Sequence, residues 1–230
     1  MNGTPHPGGG GLRQPLGCCL DPGALSSMTE PQLEAAVEAG LDELVAHARE
    51  AEPELTTLTN HYAGMPGGNP VFPGLKTRDK ARSKIEQDYG YDVCSLLDML
   101  RASIVFELGD QLREALSRMK ADLGAAIVRE KDRCKSPPDT GYRDILLNIR
   151  LANGHIAELQ LHVMEMQEAK ENGGHDLYDE QGRITAEAMA ADKGKGRPLT
   201  PAERKAFDAL TAQMREVYDA AYADIQSKKA

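Results

Sequence analysis

The most regular pattern in the chain lies near its C-terminal end, where Phe207, Leu210, Met214, Val217, Ala221 and Ile225 recur at helical spacing. Such spacing lines one face of an α-helix, and Thr200, Pro201 and Glu203 supply its cap, first-turn proline and capping-box acid. A second stripe, Leu33, Val37, Leu41, Leu44, Val45 and Ala48, follows the capping box Thr29-Glu30-Pro31-Gln32 and predicts a helix from about Glu30 to Glu50. The glycine- and proline-rich stretch Gly64 to Gly74 reads as a connecting loop. Leu75 to Tyr89 is strongly charged, with Ala81 and Ile85 its main apolar residues, and predicts a largely exposed helix. Leu96 to Met99 reads as a helix end running into a buried strand, Ala102 to Phe106, since Ile104, Val105 and Phe106 form a β-prone run. Asp110 to Leu123 has helical period, and Ala125 to Arg129 predicts the next strand.

Tyr142 to Leu151 and His155 to His162 are joined by Ala152-Asn153-Gly154, a strong hairpin signal. In the second of these strands Ile156, Glu158, Gln160 and His162 share one face, and Ala157, Leu159 and Leu161 the other. A helix from Val163 to Glu171 follows and stops at Gly173-Gly174. The order of elements, helix, charged helix, β-α-β-β-α, linker and closing helix, predicts an α+β fold with a small mixed β-sheet flanked by helices. The organisation expected is a disordered leader (1–27), an N-terminal helix and loop (28–74), a core (75–180), a linker (181–200) and a closing helix (201–230). The leader, with its Gly8 to Gly11 run and Pro5, Pro7, Pro15 and Pro22, holds too little apolar surface to offset the entropy of ordering.

Lys+Arg 27 against Asp+Glu 36 leaves a net charge of −9, which argues against general affinity for nucleic acid or an anionic membrane. A local basic patch remains compatible with it. No apolar run approaches the roughly 18 to 20 residues that cross a bilayer, and the N-terminus lacks the pattern of a secretory signal. Cys18 and Cys19 lie in the leader and Cys94 and Cys134 are isolated, so neither a zinc pair nor a disulfide framework is indicated, and a reducing cytoplasm is expected.

Four groups of residues could carry chemistry. Lys76, Arg78, Lys80, Arg82 and Lys84 form either a solvated helix face or a cradle for a triphosphate. Asp98 stands at a strand entry, as a loop acid or a metal ligand, and Glu158 sits mid-strand, where a carboxylate needs water or a partner such as a metal ion. The loop Lys135 to Asp144 holds either a packing tyrosine or a platform on which a base stacks at Tyr142, with Arg143 or Lys135 near phosphate. His155, His162 and His175 suggest a transition metal, but His155 and His162 fall on opposite strand faces by parity.

The order of these groups resembles the synthetase domain of RelA/SpoT homologues, which make (p)ppGpp, and the small alarmone synthetases and toxic synthetases related to them. The resemblance rests on the basic stretch Leu75 to Lys84, the turn and strand Asp98 to Val105, the loop Thr140-Gly141-Tyr142-Arg143 and the strand Glu158-Leu159-Gln160-Leu161-His162, less than half of the chain. It implies a nucleotidyltransferase-like fold and a Mg2+-dependent transfer of pyrophosphate from ATP to a nucleotide hydroxyl, with GDP or GTP as acceptor. Alternatives are an adenosine nucleotide, the tRNA 3′ end, or a catalytically inactive nucleotide-binding module. By position, Lys76 and Lys84 with Arg82 as helper would bind ATP phosphates, and Asp98 and Glu158 would hold magnesium, Glu158 also activating the hydroxyl. Tyr142 would stack on the acceptor base, exposed beside the cleft, with Arg101, Arg143, Gln160 and His162 lining the nucleotide pocket. Three positions depart from the family pattern: Leu146 replaces a histidine, Pro138 a lysine and Ser103 an arginine for which Arg101 could stand in. The partners implied are nucleotide substrates, tRNA through a basic surface reaching to Lys193-Gly194-Lys195-Gly196-Arg197, and an antitoxin or immunity protein, with no membrane. The place implied is the cytoplasm, that of a target cell if the protein is a delivered effector.

Overall fold

The alternation along the last strand organises the molecule. The computed structural model describes residues 11–64, 67–190 and 197–228. In chain order its elements are α1 (Pro22–Ser26), α2 (Glu30–Ala63), β1 (Gly68–Val71), α3 (Arg78–Asp88), β2 (Arg101–Phe106), α4 (Gly109–Leu123), β3 (Ile127–Asp132), β4 (Ile145–Arg150), β5 (Ile156–Val163), α5 (Met164–Ala169), α6 (His175–Ala190) and α7 (Pro201–Ser227). The strands form a five-stranded sheet in the order β1-β2-β5-β4-β3, in which β2 and β5 run parallel and every other pair antiparallel.

Registers put Arg101 and Ser103 of β2, Glu158, Gln160 and His162 of β5, Leu146 and Asn148 of β4, and Arg129 and Lys131 of β3 on one side. The opposite side carries Ala102, Ile104, Phe106, Ala157, Leu159, Leu161, Ile145, Leu147 and Ile149, all buried. There α2 and α4 close the core with Leu41, Leu44, Leu55, Leu112, Leu116 and Met119. Glu130 and Asp132, on the same side of β3, pair with Lys120 and Arg113 of α4. Burying that apolar side is what drives the layers together, and the polar side stays available for chemistry.

The α+β plan with a mixed sheet is as expected, and so are the hairpin and the capping box at Thr200, where Glu203 N–H donates to Thr200 Oγ1 at 3.3 Å and Thr200 N–H to Glu203 Oε2 at 2.8 Å. Several elements differ. The helix expected to end near Glu50 continues to Ala63 with Pro53 inside it, because Leu55, Thr59, Tyr62 and Ala63 prolong its buried stripe. Part of the expected loop is the edge strand β1, paired with β2. Residues 175–190 form α6, across what reads as the start of a linker, while Lys193 to Gly196 of that linker lie outside the described residues.

The largest correction concerns the leader, of which residues 1–10 are not described. From Gly11 onward it is packed rather than disordered. Gln14, 2% exposed, donates through Nε2 to Leu96 O at 3.2 Å and Ile156 O at 2.8 Å, accepts from Ile156 N–H at 2.8 Å, and donates its own N–H to Cys94 O at 2.7 Å. Arg13 pairs with Asp92 at 2.7 Å, Leu16 enters the core, and Cys19 forms a disulfide with Cys94. Sequence-distant backbone partners and one covalent link replace the missing apolar burial, which is why composition alone misjudged both the segment and the cysteines.

Candidate active site

The site stands on the polar side of the sheet, where the chain passes from α3 into β2. The Lys76 N–H donates to Met99 O at 2.9 Å, Thr77 caps α3, and α3 then carries Lys84 back over the same segment. Both ammonium groups reach one carboxylate oxygen: Lys76 Nζ lies 3.2 Å and Lys84 Nζ 2.8 Å from Asp98 Oδ2. Lys76 precedes α3, so the pair converges through the loop as much as through helical periodicity. Burial opposes charging Asp98, but the charges of Lys84 and Lys76 hold its carboxyl below the usual range. Burial likewise works against the Lys84 ammonium, and Asp98 and Tyr89 more than offset it. Lys76 ends below its ordinary value, burial prevailing over Asp98. Asp98 Oδ1 is buried and has no hydrogen-bond partner.

Glu158 faces Arg101 across the parallel pair and Asn148 across the antiparallel one, and its N–H donates to Leu100 O at 3.0 Å. Burial first and the charge of Asp98 second push its carboxyl above the ordinary range. The two acids, far apart in sequence, therefore sense each other across the β2 entry. Arg101 Nε is buried without a partner beside them, and Lys170, from the turn after α5, donates to Gln160 Oε1 at 3.4 Å.

The loop before β4 is tied down by a bidentate pair, Arg133 Nε and Nη2 to Asp144 at 2.5 and 2.7 Å. Tyr142 is half-buried rather than exposed, because Tyr218 of α7 packs against its ring at 5.1 Å between centroids and Arg133 lies over it at 5.5 Å. Its hydroxyl is 3.4 Å from Asp144 Oδ2 and 3.3 Å from His162 Nδ1. His162 is fully buried, and burial followed by the charges of Lys170 and Arg133 brings it down to about 3, leaving a neutral ring. Gly141, at φ +79°, takes a conformation that L side chains rarely adopt, which turns the chain sharply into Tyr142.

Two residues read as nucleotide contacts point elsewhere. Arg82, like Arg78, pairs with Glu38 of α2, so it is bound away from Asp98. Arg143 engages α7, with Asp219 at 3.3 Å and the Tyr222 ring at 3.9 Å. In their place the structure brings Arg129, Lys131 and Arg133 onto the Glu158 side of the sheet. The strand reading that stopped at Arg129 missed them, although the alternation Arg129-Glu130-Lys131-Asp132-Arg133 places three cations on one face and both acids on the other. Lys170 carried no comparable signal. Among the described residues no cluster of three or more His, Cys, Asp and Glu is arranged to hold a metal ion, which leaves Asp98 and Glu158 as the acidic pair.

The five-stranded mixed sheet, with α2 and α4 against its apolar side, is similar in fold to solved structures of the type VI effector Tas1 and of small alarmone synthetases. No known family profile matches the chain. It is 28% identical over 193 residues to the (p)ppApp synthetase toxin Tas1 of Pseudomonas aeruginosa, an alignment that covers 78% of this chain and 42% of Tas1. The matched part of the chain thus spans less than half the length of that relative. The structure of the type VI effector Tas1 in complex with its immunity protein superposes with a TM-score of 0.57 at 19% identity, over 80% of this chain and 97% of that one. The small alarmone synthetase 1 of Bacillus subtilis, bound to its product pppGpp, gives a TM-score of 0.53 at 12% identity, over 84% and 94%.

Proposed function

We propose that this chain transfers a pyrophosphoryl group from ATP to a hydroxyl of a nucleotide, with magnesium. The observation that carries the reading is the pairing of Asp98 and Glu158 on a sheet face lined by Lys76, Lys84, Arg101, Arg129, Lys131, Arg133 and Lys170, a local excess of positive charge in a chain of net charge −9. Asp98, Asp144 and Glu158 offset only part of these seven cations, and a triphosphate supplies further negative charge.

The donor set fits magnesium. Asp98 Oδ1 is a buried hard oxygen with no hydrogen-bond partner, and Glu158 supplies a second carboxylate. When bound, the ion would neutralise phosphate charge and orient the leaving group. The chain's own residues do the remainder. Lys76 and Lys84 turn from Asp98 toward the incoming phosphates. Glu158, whose raised pKa makes it a better base than an ordinary carboxylate, takes the proton of the attacking hydroxyl. The oxygen–phosphorus bond forms at the β-phosphorus, the bond to the α-phosphate breaks, and AMP leaves. Arg129, Lys131 and Arg133 stabilise the charge that develops on the transferred group.

The guanosine acceptors expected from the family pattern compete with adenosine ones. The Tas1 likeness favours the latter, since its name specifies (p)ppApp, and Leu146, Pro138 and Ser103 leave the acceptor pocket different from the family pattern. It also supports a toxin role, with delivery into a target cell and an immunity protein as partner, as in the Tas1 complex. No helix among the described residues is long and apolar enough to cross a membrane. The test is a panel: purified chain with ATP and each of GDP, GTP, ADP, ATP and tRNA, with magnesium and with EDTA. Product with one nucleotide, lost in EDTA and in Asp98→Asn, supports the reading. ATP binding without product from any acceptor favours the inactive nucleotide-binding module instead.

A further inference from the structure

The closing helix α7, which reads from the sequence as an appendage, lies along the loop that carries Tyr142. Its residues Arg215, Tyr218, Asp219 and Tyr222, spaced as one helix face, each meet that loop. Arg215 Nε donates to Asp139 O at 2.9 Å, Asp219 accepts from Arg143 at 3.3 Å, and Tyr222 lies beneath the Arg143 guanidinium at 3.9 Å. A Cβ added at Gly141 would stand 3.0 Å from Asp219 Oδ1, so helix and loop are in close contact.

Tyr218 is the centre of this contact. It is 4% exposed, and its ring meets that of Tyr142 at 5.1 Å between centroids and 62° between planes. Its phenol end is wedged against Gly174, where an added Cβ would overlap the Tyr218 hydroxyl and come within 2.7 Å of Cζ. Tyr218 thus fills a slot between Tyr142 and the turn that presents Lys170 to Gln160. A base stacks well on a tyrosine when the ring plane is held; the Tyr142 hydroxyl contacts at 3.3 and 3.4 Å fix one end of that ring, Arg133 lies 5.5 Å over it, and the edge of Tyr218 supplies the tightly packed aromatic wall.

We propose that Tyr218 is a positioning residue that sets the plane of Tyr142 for the acceptor base, so that α7 governs acceptor recognition while leaving ATP recognition alone. This rests on the pyrophosphotransfer reading, and the experiment separates the two. KM is measured for ATP and for whichever of GDP, GTP, ADP or ATP serves as acceptor, in the wild type, Tyr218→Leu, Tyr218→Phe, Tyr142→Ala and the double variant Tyr142→Ala with Tyr218→Leu. Tyr218→Met, which keeps apolar bulk in the slot but removes the ring, gives a second route if Tyr218→Leu fails to fold. The expected result is an acceptor KM raised roughly ten-fold in Tyr218→Leu and Tyr218→Met, with the KM for ATP within about two-fold. Tyr218→Phe should restore the wild-type acceptor KM, and Tyr218→Leu should add nothing once Tyr142 is alanine. An equal loss for both substrates, additive losses in the double variant, or a lower acceptor KM on removing Tyr218 overturns the proposal. A wild type that transfers pyrophosphate to none of these acceptors removes the functional reading itself, and this inference with it.

Discussion

In the proposed reading Glu158 concentrates the chemistry of the site. Its carboxyl is raised by burial and by Asp98, so its stabilising contribution is present below the unfolded value near 4.3 and is lost as pH rises through the folded one. At neutral pH its charge therefore costs stability. Glu158→Gln is expected to lose about 10²- to 10⁴-fold in turnover while its Tm in metal-free buffer at pH 7.5 stays equal or rises; a variant that unfolds, or keeps near-normal turnover, contradicts the role assigned. Lys84 and Arg82 give a paired contrast on one helix. Lys84→Gln should raise the KM for ATP roughly ten-fold or more, whereas Arg82→Gln, which loses only its pair with Glu38, should leave it within about two-fold; equal effects contradict the geometry. That Asp98, Glu158, Lys76 and Lys84 stand near one another follows a signal in the sequence, a mid-strand acid and a basic run, and their roles rest on the proposed reading. Arg82 pairs in the structure with Glu38, a partner that only the packing of α3 on α2 supplies. The exposure of Tyr142 was misread for the same reason, since Tyr218 stands 76 positions away in sequence from it.

Among the elements, periodic ones were legible and irregular ones were not. The β4–β5 hairpin and the stripes of α2 and α7 follow from spacing and turn chemistry, so their existence could be read directly. The ordered leader could not, because it is held by sequence-distant backbone partners rather than by local pattern, whereas β3 to Asp132 did carry an alternation that the strand reading ending at Arg129 stopped short of. The leader yields a sharp expectation. Gln14→Ala would leave the Ile156 N–H and O and the Leu96 O without their side-chain partner in a buried site, at a cost on the order of 3 kcal/mol. Reducing the Cys19–Cys94 disulfide, which closes a loop across a separation of 75 residues, should cost about 2–4 kcal/mol. Denaturant midpoints of Gln14→Ala and of the reduced protein test both; a leader that contributes nothing would leave them unchanged. The junction of α2 with the hairpin buries His155 against His47, and burial with that neighbour lowers His155 to about 4. Its folded pKa is depressed, as is that of His162, so the stability both contribute is present above about 6.5 and is lost as pH falls toward about 4 and 3. Tm should fall steadily below pH 6.5, and His155→Phe should make that fall shallower; an unchanged slope would show that His155 is protonated without penalty.

At the scale of the whole molecule, net negative charge and a cationic sheet face act together. The surface discourages bulk polyanions while the face attracts a compact one, which suits a free nucleotide better than a long RNA. In the proposed reading the loop before α3 and α3 itself bring Lys76 and Lys84, the β2 entry and β5 the acids, β3 and the residue after it further cations and α7 the wall behind Tyr142, so each layer of the fold contributes one part of a transfer site. The fate of the β-phosphorus tests this account most directly. With ATP labelled at that atom, magnesium and the preferred acceptor, the account predicts that AMP and a pyrophosphorylated acceptor appear in equal amounts, with all transferred label in the acceptor's new pyrophosphate. Release of ADP and inorganic phosphate, or binding of ATP with no AMP formed, would contradict it.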